Sequence, residues 1–248
     1  MARKIAVTLR KGGSGKTTTA LNLATGLRLL GQRVLLIDLD PQANATLAAG
    51  LDPTALPRNI NHLFTALDTA AADVVTETAF GLPVLPAHPD LAATETGMEA
   101  TQVGVLAGLL EPLGGDYDSI IMDTPPSESY LTVNALAAAD RVIIPLQAHF
   151  LALQGLAQAL AQVERVRGDL NPRLTVAGIL PTLVNPRTNI GRAVLEDVRR
   201  HYAELLYPFA IEYSVKHVEA SLAGQPIVLY DPRHQGARAY MELARRFT

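Results

Sequence analysis

The sequence has no cysteine, which excludes disulfides, thiolate-held metals and iron–sulfur clusters and suits a reducing compartment. Metal-ligand spacing is missing too: His62, His88, His149, His201, His217 and His234 are far apart, so they read as surface or hydrogen-bonded residues. No secretory leader is expected, because MARKIAVTLRK places only the five residues IAVTL between charges. One stretch, Val142 to Val163, carries no formal charge with His149 neutral. Pro145, Gln147, Gln154, Gly155, Gln158 and Gln162 interrupt it, so a buried strand followed by an amphipathic helix fits better than a membrane span, and the chain should be soluble. Linkers, internal repeats and low-complexity segments are lacking as well. With 248 residues and 48% hydrophobic content, the chain is expected to form one domain over 1–248. Nor is there an excess of basic residues: the net charge is −3, so any surface for nucleic acid must be local.

What is present is an alternation. KIAVTL, RVLLID, LPVLPA, SIIMD, RVIIP and TVAGILPTL are nearly continuous apolar runs rich in β-branched residues, as expected of strands covered on both faces. Between them, Thr17 to Leu30 sets Ala20, Leu23, Leu27 and Leu30 at helical spacing, and further helices are predicted near 99–110, 127–138, 151–167, 189–202 and 235–247. This pattern predicts an α/β fold with a doubly wound, mostly parallel sheet flanked by helices, whose ligands gather at the carboxyl ends of the strands. Asp38 and Asp40 end one predicted strand, Asp123 ends another, and a glycine-rich loop ends the first. These features should therefore meet at one edge of the sheet.

That loop reads RKGGSGKT over residues 10–17, which departs from G-x-x-x-x-G-K-[ST] by placing Arg10 at the first glycine and adding a second lysine, Lys11. Gly12, Gly13 and Gly15 free the backbone to turn its N–H groups inward, and the helix that follows adds its positive end. The product is a phosphate cradle of the ATP-binding kind. Lys16 is placed for the β- and γ-phosphates, and the Thr17 hydroxyl for Mg2+. Lys11, at the loop entrance, would point away from its own phosphate. Either it is a solvated lysine, or two copies meet across their nucleotides and it stabilises charge in trans, which predicts a nucleotide-sandwich homodimer.

KGGSGKTTT with Lys11, VLLIDLDPQANAT, YDSIIMDTPPS and PIVLYDPRHQGARAYMELA occur in order along nearly the whole chain. Together they resemble the ParA/MinD group of deviant-Walker P-loop ATPases, and within it the ParA (Soj-type) chromosome and plasmid partition proteins. The resemblance implies an ATPase using ATP and Mg2+, whose ATP-bound homodimer binds DNA non-specifically. It further implies that a ParB-like, centromere-bound partner stimulates hydrolysis and resets the cycle, in the cytoplasm and on the nucleoid. It makes Lys11 the trans-acting lysine and Lys16 the P-loop lysine, and lines the phosphates with Gly12, Gly13, Gly15, Thr17 and Thr18. Asp40 resembles the switch aspartate that positions the attacking water. Asp38 and Asp123 would support Mg2+ through water, although an aspartate at Asp38 could equally cap a turn.

For DNA, Arg187 matches the arginine of the family's R-T-N segment. On the helix predicted after it, Arg192 and Arg199 lie seven apart and share a face, with Arg200 adjacent. Lys216 falls near a basic position of the family's I-P-R-N-V-R-L stretch, but this chain reads IEYSVKH there and lacks the proline and first arginine. Asn185, in LVNP, is the candidate for reading the base. Two rivals share the nucleotide chemistry. A MinD-like membrane-cycling ATPase would need a terminal amphipathic anchor, which is not expected after MELARRFT. A P-loop ligase or kinase would turn Lys11 and Arg187 to a small substrate.

Overall fold

The computed structural model describes residues 2–66, 69–99, 102–149, 152–185 and 189–248. In chain order these form β1 (Arg3–Val7), α1 (Lys16–Leu29), β2 (Val34–Asp38), α2 (Asn44–Ala48), α3 (Ile60–Thr65), β3 (Thr76–Glu77), β4 (Pro83–Leu85), α4 (Leu91–Gly97) and α5 (Val105–Leu110). Then follow β5 (Ser119–Asp123), α6 (Tyr130–Ala138), β6 (Arg141–Gln147), α7 (Ala152–Asp169), β7 (Thr175–Thr182), α8 (Asn189–Tyr202), α9 (Val215–Leu222), α10 (Ile227–Tyr230) and α11 (Gln235–Arg245).

The strands join one seven-stranded sheet in the order β3-β4-β2-β5-β1-β6-β7. All pairs are parallel except β3 with β4, at the edge. Successive side chains along a strand go to opposite faces, and here both faces are covered. Ile5, Val7, Leu36, Ile121, Ile143 and Leu180 pack in one apolar cluster with Leu23 and Leu27 of α1 and Tyr240 and Leu243 of α11. Ala6, Leu35, Ile37, Ile120, Met122 and Ile144 enter the other, with Leu106 of α5, Leu131 of α6 and Leu156 and Val163 of α7. This two-sided burial is why the strands read as unbroken apolar runs. Val142 to Val163 divides into β6 and α7 as expected, and among the described residues no helix is long and apolar enough to cross a membrane.

Register decides where the site forms. Val7 and Asp38 both pair with Asp123, so β1, β2 and β5 end at one level. The six expected strands are all present, and the long helices fall where helical spacing placed them. The helix expected near 99–110 occupies only Val105–Leu110, and that near 127–138 starts at Tyr130, where the Ser129 side chain accepts from the Thr132 N–H and caps it.

Candidate functional site

The loop between β1 and α1 takes the conformation that its glycines permit. Gly13 (φ 70°) and Gly15 (φ 83°) are left-handed, a region that strains any other residue. Gly15 caps α1 without a side chain, and the first turn of α1 holds no acidic residue, so its N–H groups and positive end are left for an external anion. Two contacts fix the loop. Thr182, the last residue of β7, donates its hydroxyl to the Ser14 carbonyl at 2.7 Å, and Ser14 Oγ donates to the Lys11 carbonyl at 3.2 Å.

Lys16 is buried at the base of this cradle, where its Nζ donates to the Lys11 carbonyl at 3.2 Å. Burial lowers its pKa, while the Asp123 and Asp40 carboxylates act in the opposite sense. Thr17 Oγ1 donates to Asp123 Oδ2 at 2.8 Å. Asp123 Oδ1 is buried and finds no hydrogen-bond partner among the described residues. The Asp123 carboxyl is raised well above its ordinary pKa, first by burial and then by the neighbouring Asp38. An orphaned carboxylate oxygen beside a threonine hydroxyl fits a hydrated cation, because a metal-bound water could donate to it. Among the described residues no cluster of three or more His, Cys, Asp or Glu is set to hold a metal directly. Thr17 is thus the direct ligand the chain would offer, and Asp123 the acceptor behind it.

Asp38 is different. Its Oδ1 accepts from the Asp40 N–H at 3.1 Å, and its Oδ2 accepts from the Thr46 N–H and hydroxyl, each at 2.8 Å. Burial raises its pKa to about 6 against the lowering effect of the Thr46 donors. With these bonds Asp38 ties the β2–α2 connection to the end of β2, and so fixes Asp40. Asp40 is itself buried, accepts from the Gln42 N–H at 2.9 Å through Oδ1, and faces the same cleft as Lys16.

Gly12, Gly13, Gly15, Lys16, Thr17, Thr18 and Asp40 line one open cleft of about 660 Å³. Its far wall was not foreseen. Leu47 of α2, with Tyr213, Ser214, His217, Val218 and Leu222 in and before α9, forms it. Tyr213 (63% exposed), Val218 (57%) and Leu222 (85%) leave much apolar surface in water. The sequence signal was short, a Ser214 cap bonded to the Lys216 N–H ahead of one eight-residue helix.

The remaining predicted residues lie apart from the cradle. Lys11 is exposed at the entrance of the loop, and its ammonium turns to Gln147 Oε1 at 3.4 Å, at the end of β6, and to His149 Nε2 just beyond it. Asn185 is exposed beyond β7, where Leu183 and not Asn185 joins the cleft wall. Arg187 lies outside the described residues. Arg192 and Arg199 are exposed on α8, and Arg200 pairs with Asp197 at 3.1 Å. Lys216 is bound by Glu219 at 2.6 Å, one helical turn away, which raises its pKa.

The AAA domain family matches residues 2–176 of the chain. Over 248 residues the chain is 41% identical to the chromosome partitioning protein ParA of Caulobacter vibrioides, covering 98% of this chain and 92% of that protein. It is 42% identical over 243 residues to the chromosome-partitioning ATPase Soj of Thermus thermophilus, covering 98% and 94%. Among solved structures, cobyrinic acid a,c-diamide synthase of Mycobacterium smegmatis with bound ADP and magnesium superposes with a TM-score of 0.86 at 38% identity, covering 99% of this chain and 93% of that one.

Proposed function

The chain belongs to the ParA/Soj family of P-loop ATPases, within the AAA domain family, and from that premise we propose that it is a partition ATPase in which ATP binding drives sandwich dimerisation and DNA binding. It is an ATPase whose cofactors are ATP and Mg2+. Residues 1–248 act as one ATPase domain. The observation that carries the reading is the Thr17–Asp123 hydrogen bond beside an Asp123 oxygen with no partner among the described residues, buried next to a cradle that already holds Lys16.

The loop N–H groups of Gly12, Gly13 and Gly15 and the first turn of α1, with Thr18, bind the phosphates. Lys16 exchanges its bond to the Lys11 carbonyl for phosphate oxygens, and so neutralises charge where the dielectric is low. Bound Mg2+ would neutralise the phosphate oxygens, with Thr17 as ligand and Asp123, supported at the same strand level by Asp38, as water acceptor. Asp40, fixed by the Asp38 bonds, orients the attacking water. Lys11 reaches the partner's phosphates across the two-fold axis. Arg187, Arg192, Arg199 and Lys216 contact DNA phosphates, Asn185 reads the base, and a ParB-like adaptor on the centromere stimulates hydrolysis, in the cytoplasm on the nucleoid.

The M. smegmatis relative, named for a diamide synthase, favours one second reading, a ligase that spends ATP on a small acid. Sizing chromatography with and without a slowly hydrolysed ATP analogue, followed by a shift of arbitrary DNA at two salt concentrations, separates the two. A partition ATPase dimerises with the analogue and shifts DNA only then. A chain that stays monomeric and ignores DNA removes the proposal.

A further inference from the structure

Lys11 is the residue on which the trans reading above depends, and in the isolated chain it is already engaged. β6 lies beside β1, with Val7 opposite Ile143, so the end of β6 runs past the entrance of the phosphate loop. There Lys11 Nζ donates to Gln147 Oε1 at 3.4 Å and contacts His149 Nε2. An ammonium only donates, so the contact requires His149 Nε2 to be the unprotonated, accepting nitrogen of a neutral ring. A proton on the ring turns both nitrogens into donors and sets a second positive charge against the lysine. The same two side chains therefore attract in one protonation state and repel in the other.

We propose that His149 is a positioning residue that latches Lys11 to its own subunit while the imidazole is neutral, and that protonation of the ring releases the lysine toward the nucleotide of a second copy. The proposal rests on the trans role of Lys11 and adds its regulation. The Lys11 ammonium is a charged group whose field acts on the ring. Arg10, next to it, is turned to Glu128 ahead of α6, and Glu128 also holds Arg165 of α7, so this trio is internally paired. Burial first, and Lys11 second, hold the His149 pKa below the ordinary imidazole value. The latch is thus closed at pH 7.5 and opens on acidification. Once Lys11 has left for a partner's phosphates, the ring is relieved of a neighbouring cation and binds a proton more readily. By linkage, dimerisation takes up protons and tightens as pH falls.

The test is the dimer dissociation constant by sedimentation, at fixed salt with Mg2+ and a slowly hydrolysed ATP analogue, at pH 7.5, 6.5 and 5.5. Wild type is expected to dimerise about three- to tenfold more tightly at pH 5.5 than at pH 7.5, a modest effect because the pair is solvent-accessible and screened. His149→Gln, which keeps a neutral acceptor, should lose that slope. His149→Ala should dimerise at pH 7.5 as tightly as wild type does at pH 5.5. In the free chain, the Cε1–H resonance of His149 should titrate at higher pH in Lys11→Ala than in wild type, a readout independent of dimerisation. An unchanged slope in both His149 variants, or an unmoved titration in Lys11→Ala, overturns the latch while leaving the trans role intact. If Lys11→Ala dimerises and hydrolyses ATP as wild type does, the trans role itself falls.

Discussion

At the level of single side chains, the site divides its acids by what each carboxylate is bonded to. Asp123 keeps one oxygen without a partner among the described residues, Asp38 spends both oxygens on the protein, and Asp40 hangs from the segment that Asp38 pins. Lys16→Ala removes charge-assisted contacts of about 1.5–3 kcal/mol each, so ATP binding should weaken at least about 100-fold by fluorescent-nucleotide titration. Asp40→Ala should leave ATP binding and dimerisation in place while turnover falls on the order of 100-fold, the loss expected when a water-positioning group goes. Turnover at the wild-type rate in that variant would remove Asp40 from catalysis. Asp38 gives a pH signature of its own. Its folded pKa, raised to about 6, exceeds the unfolded value of about 3.9, so the folded chain holds the extra proton. The stabilisation is complete below the unfolded value and is lost as pH rises through about 6. Compared by urea denaturation without nucleotide, wild type should lose on the order of 3 kcal/mol relative to Asp38→Asn between pH 4 and pH 7. A difference that stays constant with pH would mean that Asp38 is not the group titrating.

Among the elements, α1 and α8 carry opposite kinds of prediction. Helix α1 approaches α11 so closely that a Cβ on Gly26 would lie 3.0 Å from Ala244 Cβ. Gly26→Leu should therefore cost about 1–3 kcal/mol in thermal or urea unfolding through overpacking, despite the better helix propensity of leucine. Arg192 and Arg199 are exposed on α8, and among the described residues neither takes part in an ion pair that a charge reversal would break. The double variant Arg192→Glu/Arg199→Glu should bind arbitrary DNA more weakly for all sequences and flatten the log–log salt slope by about 2, with melting unchanged. An unaltered slope would take α8 out of the DNA surface. The same contrast explains what could be read beforehand. α1, α7, α8 and α11 are long enough for a helical period to repeat, and six strands declared themselves by continuous apolar runs, because both faces of the sheet are covered. The two-residue β3 and the short α2, α3, α4, α9 and α10 are too brief for periodicity, and their signals are caps: Asn59 with His62 reciprocally at α3, and Ser214 at α9. The cradle was legible because its residues are contiguous. The Thr182 staple and the contacts of Lys11 with Gln147 and His149 were not, because they join positions more than a hundred residues apart that only strand pairing brings together.

Over the whole molecule, the net charge of −3 gives no general attraction to DNA, so in the proposed dimer a second copy would have to assemble any cooperative surface by contact chemistry. The cleft supplies such chemistry on its far wall. Leu47, Tyr213, Val218 and Leu222 line the far wall of the cleft with half or more of their surface in water, a concentration of apolar area that a monomer gains nothing by exposing. In a sandwich this rim would be covered together with the nucleotide, so closure would combine apolar burial with the crossing of Lys11. The two contributions can be separated. Leu222→Asp should leave nucleotide affinity within about twofold, since Leu222 stands 85% exposed and away from the phosphate cradle, yet weaken analogue-driven dimerisation by roughly tenfold or more, the loss expected for placing a charge where about 1.5–3 kcal/mol of apolar burial was to form. Lys11→Ala should do the converse in its salt dependence, removing the electrostatic part of closure and leaving the apolar part. If Leu222→Asp dimerises like wild type by sedimentation, the α9 face lies outside the closed interface, and the nucleotide and Lys11 alone must hold the two copies together.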